Sequence, residues 1–309
     1  MKLYLGVDGG QSATAAVIGD ETGRVLGTGE AGPCNHAAAG EGRTKLERAV
    51  NGSVGAACAQ AGLDPGAVTF EAACFGMSGG PEDKQEILAG LLRARRLIVT
   101  NDAVIALAGA TESGQGIITI AGTGSIAFGR NASGRCARAG GWGYIFGDEG
   151  GAFDIARQAL RAILRMDEGW GPPTRLREPL LAATQSRSAN QMLHRFYTPE
   201  WPRSRVATLA PLVDSAAAEG DPVAAQILGN AAQELATLGA SVRGQLWKPE
   251  DPVDLAYIGG VFQSGSVLER FRLLVELDGC TRCGPPLHGP AEGALREAYR
   301  VAGLGTRLA

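Results

Sequence analysis

A repeated pattern of β-strand, glycine-rich turn and β-strand constrains the fold of this chain more than any other feature. In the first half, an apolar strand pattern at 3–7 leads into Asp8-Gly9-Gly10-Gln11-Ser12 and resumes at 13–18. In the second half, a strand pattern at 116–121 leads into Gly122-Thr123-Gly124-Ser125 and resumes at 126–130. Each copy is typical of a hairpin. The duplication predicts two similar α/β domains that face a central cleft, where ligand pockets tend to form.

The rest of the sequence predicts how these turns are embedded in the two domains. Helices are predicted over 41–61, 82–94 and 102–110, and a mainly helical stretch is predicted over 150–246. A turn near 112–115 marks the boundary, which gives an N-terminal domain over 1–112 and a C-terminal domain over 113–290. Because no Pro-, Gly- or Ser-rich linker separates the halves, this turn suits a hinge.

Composition and charge limit the classes of function. The 309 residues include 45% hydrophobic and 20% charged residues, which is ordinary for a globular protein. The net charge of −3 provides no positive field for binding nucleic acid or an anionic membrane. No apolar run reaches the roughly 20 residues that span a bilayer, and 1–7 is too short for a signal peptide. A cytoplasmic protein with reduced thiols is therefore expected.

One cysteine pair has a spacing that occurs in metal sites. Cys280-x-x-Cys283 lacks a second pair of ligands, although His288 could add a third. Structural zinc sites need four ligands. A turn that carries two thiols is therefore the favoured interpretation.

The first glycine turn has the residues that a phosphate-binding loop needs. Gly9 and Gly10 allow backbone N–H groups to approach anionic oxygens closely, and Ser12 and Thr14 add hydroxyl donors. Asp8 ends a predicted strand, where its carboxylate could hold a water-coordinated Mg²⁺ beside a polyphosphate. Taken alone, the turn could also be an ordinary tight hairpin.

The second turn strengthens the interpretation as a nucleotide site. Two hairpins such as Gly9–Ser12 and Gly122–Ser125 can hold one triphosphate between them. The chain has no Gly-Lys-Ser or Gly-Lys-Thr of a Walker motif, and neither turn leads directly into a helix as a dinucleotide fingerprint does. The pattern predicts a nucleotide bound by hairpins, with a metal ion supplying much of the positive charge.

Asp102 is the candidate catalytic base. It follows Thr100-Asn101 where a predicted strand meets a predicted helix, shortly before the second turn. Phosphoryl transfer to an alcohol needs positioning, charge neutralisation and a carboxylate that accepts the hydroxyl proton. The alternative is that Asp102 or Asn101 only caps the helix.

Polar residues elsewhere are candidates for binding a sugar. Asn35-His36 follows a Gly-Pro turn and could hydrogen-bond hydroxyl groups, although a solvated turn is the alternative. The glycine-dense segment 140–151 is consistent with close approach to a ligand. Within it, Asp148 could bind two adjacent hydroxyls or could cap a helix. Trp142 could pack on the sugar, but a core position is expected for it.

Two weaker patterns occur near the end of the chain. Gly259-Gly260-Val261 follows a predicted strand and would let an adenine ring lie against backbone. The predicted helix over 290–302 contains Ala291, Gly293 and Ala294, and such small residues permit close packing or a nearby ligand.

Taken in order, these motifs resemble the N-acetylglucosamine kinases of the BadF/BadG/BcrA/BcrD ATPase family, which share the fold of actin, hexokinase and Hsp70. The resemblance spans nearly the whole chain and is most specific over 116–151. It implies an α/β protein with two ribonuclease H-like (actin/hexokinase-type) domains, each with a five-stranded mixed sheet. It also implies that a C-terminal helix at 291–309 packs back on the first domain.

The resemblance further implies an ATP-dependent kinase for the 6-hydroxyl of an aminosugar. N-acetylglucosamine is the favoured acceptor and glucosamine is the alternative. The implied cofactors are ATP and Mg²⁺, with Asp8 organising the metal, the two hairpins cradling the phosphates and Asp102 acting as the base. The implied sugar site consists of Asn35, Thr123 and Asp148, with His36 and Gly143 nearby. The implied nucleoside site is lined by Gly259, Gly260 and Gly293, and relatives are often homodimers.

The chain departs from the resemblance at Ala13, where the first loop of relatives often carries a basic residue, so Mg²⁺ and backbone donors would contribute more of the ATP binding. An alternative of a different class is also considered. Other relatives are ATPases that activate a dehydratase or reductase and hold an iron–sulfur cluster through a cysteine in a glycine-rich setting. Cys136 precedes Gly140-Gly141 but lies in a predicted strand without flanking glycines. A sugar sensor without turnover would not require Asp102.

Overall fold

The computed structural model of the protein describes residues 1–10, 13–34, 42–78, 84–305 and 308. The chain divides into two compact units, one formed by Met1–Gly116 together with Pro285–Ala309 and the other by Ile117–Gly284. Within the described ranges, none of the helices combines the length and apolar character that a membrane span requires.

The first unit is built on a mixed sheet. Its elements up to the end of the first segment are β1 (Leu3–Gly9), β2 (Thr14–Asp20), β3 (Val25–Ala31), α1 (Gly42–Gln60), β4 (Thr69–Phe70), β5 (Ala72–Met77), α2 (Gln85–Leu91), β6 (Arg93–Ala94), β7 (Leu97–Asn101) and α3 (Asp102–Ala110). Five strands pair in the order β3-β2-β1-β5-β7, and β4 and β6 pair separately. The first three are antiparallel neighbours, whereas β1, β5 and β7 run parallel. The central strands β1 and β5 are almost fully buried, as expected for strands covered on both faces.

The second unit repeats this sheet. Its elements are β8 (Gly116–Ala121), β9 (Ser125–Arg130), β10 (Cys136–Gly140), α4 (Ala152–Asp167), α5 (Arg177–Thr184), α6 (Ala189–Arg195), α7 (Arg203–Ala207), α8 (Ala210–Ala218), α9 (Pro222–Leu246), β11 (Val253–Ile258), a 3₁₀ turn (Gly260–Gln263), α10 (Gly265–Val275) and β12 (Thr281–Gly284). The strand order is β10-β9-β8-β11-β12, with β8, β11 and β12 parallel. Two five-stranded mixed sheets with matching orders confirm the predicted fold class.

The segment around Cys280 and Cys283 differs from the predicted turn. Cys283 lies in β12, which pairs with β11 in register with Leu255. The prediction was wrong because this strand is short and depends on a partner 28 residues earlier in the chain. Burial, with the charge of Glu276 as a smaller cause, raises the pKa of the Cys283 thiol to about 12. The thiolate that a metal would bind is therefore disfavoured here.

The last helix, α11 (Pro290–Val301), belongs to the first unit and packs on α3 and β1. A Cβ atom at Gly293 would overlap the backbone of Ile105, so only glycine permits this helix crossing. The buried Arg296 side chain donates to Thr111 O at 2.9 Å and to Glu112 O. These backbone acceptors hold α11 against the segment that follows α3.

Candidate active site

The first glycine turn closes between β1 and β2. Gly10 N donates to Ala13 O at 3.0 Å, and Cys34 N donates to Gly10 O at 2.9 Å. The Thr14 hydroxyl is fully buried and donates to Gly32 O at 2.9 Å, which gives it a structural role. Gly9 packs closely on Met77. Four residues predicted to bind phosphate or sugar lie outside the described residues: Gln11, Ser12, Asn35 and His36.

Asp8 and Asp102 lie at the same edge of the first sheet. Asp8 pairs with Gly76 of β5, which pairs with Thr100 of β7, so the carboxyl ends of three parallel strands are aligned. Burial is the main cause that raises the pKa of Asp8 to about 6, and the negative charge of Asp102 adds to it. A cation at this edge would offset both effects, since it favours the charged form of a carboxylate.

The structure distinguishes the two roles considered for the start of α3. Asn101 is the N-cap, because its side chain accepts from Val104 N at 3.0 Å. Asp102 therefore is not needed as the cap. Its Oδ2 atom instead accepts from the Ser78 hydroxyl at 2.9 Å.

Ser78 was not predicted as a site residue. It directly follows β5, and its N–H donates to Gly9 O at 3.1 Å. The residue thus connects the first glycine turn to the Asp102 carboxylate. The only signal in the sequence was its position immediately after a strand that neighbours both β1 and β7.

The second glycine turn joins β8 to β9 and is tied to the start of α4. Gly122 O and Thr123 O accept from Ala152 N at 2.9 Å and Phe153 N at 3.1 Å. Two of the first N–H groups of α4 are therefore used within the protein. The Ser125 hydroxyl is also engaged, since it donates to Glu149 O at 2.6 Å. A Cβ atom at Gly122 would meet open space, so this side of the turn remains accessible.

Asp148 lies directly on this turn. It is buried, its φ angle is 65°, and its carboxylate accepts from Ser125 N at 3.3 Å and Arg203 Nη2 at 2.6 Å. A side chain at Gly124 would collide with the carboxylate. The N-cap of α4 is Gly151, with no side-chain cap. The capping role considered for Asp148 is therefore not observed.

Most glycines of the segment 140–151 are required for close packing against neighbouring parts of the protein. A Cβ atom would collide with neighbouring protein at Gly141, Gly150 and Gly151, whereas at Gly143 it would meet open space. The expected core position of Trp142 is wrong, because 64% of this residue is exposed and Arg138 lies 4.2 Å from its ring. The surrounding glycines have no bulky side chains that could enclose it.

The residues predicted for the nucleoside site separate into two groups. Gly259 packs against Ala121 beside the second turn, and Gly260 borders open space. Both are in the second unit. Gly293 lies in the first unit, where close packing of α11 on α3 accounts for it. Its nucleoside contact stays a prediction.

Two matching mixed sheets, each with a glycine turn leaving its middle strand, define an ATPase fold of the actin and hexokinase type. The chain belongs to the BadF/BadG/BcrA/BcrD ATPase family, whose sequence profile matches residues 5–298.

Similar proteins have names that are consistent with one another. The chain is 34% identical over 286 residues to the N-acetylmuramic acid/N-acetylglucosamine kinase of Clostridium acetobutylicum. The matched region covers 90% of this chain and 92% of that protein. It is 31% identical over 288 residues to the N-acetyl-D-glucosamine kinase of Dictyostelium discoideum, with coverages of 86% and 88%. A solved structure from Chromobacterium violaceum, named provisionally as an N-acetylglucosamine kinase, has a TM-score of 0.78 at 27% identity, with 96% and 98% covered.

Proposed function

We propose that this protein is an ATP-dependent kinase that transfers the γ-phosphate of ATP to the 6-hydroxyl of an aminosugar, with N-acetylglucosamine as the acceptor. One observation carries the proposal. Asp102 lies at the carboxyl edge of three parallel strands, is not needed as the cap of α3, and neighbours Asp8. The membership of an ATPase family and the kinase names of the relatives support the same reaction.

Asp102 is the proposed base. Ser78 holds its Oδ2 atom, which leaves Oδ1 to accept the proton of the sugar hydroxyl. As that proton moves, the hydroxyl oxygen forms a bond to the γ-phosphorus, and the bond to the β-phosphate oxygen breaks. The products are a sugar phosphate and ADP. A positioned base of this kind typically contributes about 10²- to 10⁴-fold to the rate.

Asp8 is the proposed protein ligand of Mg²⁺. Within the described ranges, no three His, Cys, Asp or Glu side chains come together as metal ligands. Mg²⁺ in nucleotide sites is usually held by one or two carboxylates together with phosphate oxygens and water, so Asp8 fits. Its raised pKa fits as well, because a nearby cation would stabilise the carboxylate. When bound, the ion would neutralise phosphate charge.

The remaining predicted contacts are retained as part of the proposal. The turns at Gly9–Ser12 and Gly122–Ser125 would bind the phosphates of ATP, and Gly259-Gly260 would contact the nucleoside. Asp148 would bind sugar hydroxyls, with Thr123 and Gly143 beside it and with Asn35 and His36 as further contacts. A homodimer and a cytoplasmic location are also retained, and the dimer can be checked by light scattering.

A coupled ADP-release assay tests the reaction. The sugars to compare are N-acetylglucosamine, glucosamine, glucose, N-acetylmannosamine and N-acetylmuramic acid. We expect ADP release to require both a sugar and Mg²⁺, with the highest kcat/KM for N-acetylglucosamine. Its 6-deoxy analogue should bind without being phosphorylated. If none of these sugars stimulates ADP release, the proposed function is wrong. Iron in the purified protein and sugar-independent ADP release would instead favour the partner-activating ATPase.

The assignment of the base has its own test. Asp102→Asn should still bind sugar and ATP in calorimetry but lose turnover by about 10²- to 10⁴-fold. Asp64→Asn, in a turn of the same unit, is the matched control and should keep wild-type turnover. Near-normal turnover of Asp102→Asn would refute the assignment.

A further inference from the structure

An ion pair joins the turn beside the second glycine loop to helix α7, with a buried Asp148 carboxylate and an Arg203 side chain that is 35% exposed. Asp148 Oδ2 accepts from Arg203 Nη2 at 2.6 Å, and only 8% of the Asp148 side chain is exposed. Burying a carboxylate is costly unless a charged or hydrogen-bonding partner compensates it. Arg203 is the first residue of α7, 55 residues after Asp148.

Two aromatic rings hold the Arg203 guanidinium in place. Its Cζ atom lies 4.8 Å from the centre of the Tyr144 ring and 5.7 Å from that of Phe153. These rings contact each other edge to face at 5.4 Å. A guanidinium stacks well on aromatic faces, which restricts its otherwise flexible side chain. The guanidinium of this partly exposed residue therefore lies between the Asp148 carboxylate and two aromatic rings.

Within the described ranges, the hydrogen bonds of Asp148 leave acceptor sites on its carboxylate for a ligand. An ionised carboxylate has about four acceptor sites. Arg203 uses one on Oδ2, and Ser125 N uses one on Oδ1 through a long contact of 3.3 Å. The remaining sites would accept hydroxyl groups, and their directions are set by the partner on Oδ2.

We propose that Arg203 is a positioning residue for sugar binding, because it compensates and orients the Asp148 carboxylate. The inference rests on the proposed function, in which Asp148 contacts the sugar. Arg203 itself touches neither the sugar nor the reacting atoms. Its loss should therefore weaken sugar binding, while proton transfer at Asp102 and the binding of ATP continue.

Steady-state kinetics of Arg203→Gln test this inference. We expect the KM for the sugar to rise by about tenfold or more, since a hydrogen bond to a charged group is lost. The kcat and the KM for ATP should stay within about twofold of wild type. Arg203→Lys keeps the charge but lacks the planar fork, so it should recover part of the sugar affinity.

Arg157→Gln is a matched control within the same unit. Arg157 pairs with Asp154 at 2.6 Å, and Asp154 accepts from Gly150 N at 3.2 Å, so the variant loosens the same turn without touching Asp148. In both arginines, Nε has no hydrogen-bond partner within the described ranges. The sugar KM of Arg157→Gln should remain close to wild type.

The outcomes separate this inference from the proposed function. An unchanged sugar KM in Arg203→Gln, a loss confined to kcat, or an equal rise in Arg157→Gln would overturn the role of Arg203. If wild-type protein phosphorylates no sugar, the proposed function fails instead. If Arg203→Gln does not fold, Arg203→Lys provides the test, because it keeps the charge but lacks the planar fork that orients the carboxylate. A sugar KM at the wild-type value in Arg203→Lys would then refute the inference.

Discussion

Replacing Ser78 with alanine removes the hydroxyl that donates to Asp102 Oδ2 at 2.9 Å. In the proposed mechanism, this hydroxyl holds one oxygen of the base so that the other points at the acceptor. The backbone bond from Ser78 N to Gly9 O is retained in the variant. The substitution therefore tests side-chain orientation with little change to the path of the chain.

The structure sets the size of the expected effect. A hydrogen bond to a charged group contributes about 1.5–3 kcal/mol, and each 1.36 kcal/mol corresponds to about tenfold in rate. If the whole free energy of this hydrogen bond stabilises the transition state, its loss would lower kcat by about 10- to 150-fold. Ser78 and Asp102 are both partly exposed, so water can replace the lost donor. We therefore expect the lower end, about tenfold in kcat.

Coupled ADP release with varied sugar and varied ATP measures kcat and both KM values. Ser78→Thr retains a hydroxyl and should recover most of the lost rate. Ser53→Ala is the matched control, because it removes a buried hydroxyl that donates to Val50 O at 3.2 Å within α1 of the same unit. Ser53→Ala should leave kcat unchanged.

Two results would refute the reasoning about Ser78. A kcat within twofold of wild type in Ser78→Ala would show that the hydroxyl does not orient the base. Equal losses in Ser78→Ala and Ser78→Thr would show that the effect arises from packing.

Two further predictions concern stability. In protein free of Mg²⁺ and nucleotide, folded Asp8 keeps a proton between its usual pKa of 3.8 and its raised pKa of about 6, whereas the unfolded chain does not. Stability should fall as pH rises through this window, by at most about 3 kcal/mol and by less where solvent screens the charge. The urea midpoint of Asp8→Asn should therefore equal that of wild type at pH 4 and be higher than that of wild type at pH 8. A lower midpoint for Asp8→Asn at pH 8 would contradict the expected direction of the pH dependence. Gly293→Ala should lower the Tm, since overpacking costs about 1–3 kcal/mol or more. The control is Gly55→Ala in α1, where the new methyl group would meet open space, so this variant should be neutral or stabilising. Equal shifts of Tm in both variants would contradict the close crossing of α11 and α3.

The sequence predicted the two sheets because their central strands are apolar and each leads into a glycine turn. It also predicted α3 over 102–110, since a capping residue precedes a continuous apolar run. Strand β12 was missed because Thr281–Gly284 has no alternating pattern and depends on pairing with β11. Within the described ranges, α2 covers only Gln85–Leu91 of the predicted 82–94.

The residues of the candidate site that belong to a local sequence motif could be predicted from the sequence. Asp8 and Asp102 follow strands directly, and the structure brings them to one sheet edge. Ser78 and Arg203 were not predicted, because each acts on a carboxylate 24 or 55 residues away and belongs to no motif. Local sequence also did not decide whether Asn101 or Asp102 caps α3; the side-chain hydrogen bond to Val104 N did.

The placement of α11 has a consequence for biosynthesis. β1 precedes the second unit in the chain, whereas the helix that covers it emerges from the ribosome only after the whole of Ile117–Gly284 has been translated. The second unit is contiguous and can fold as soon as it is released, since domains generally fold as units during synthesis. Until α11 has been synthesised, Tyr4 and the neighbouring sheet face of the nascent first unit stay uncovered, and such exposed apolar surface is prone to aggregation.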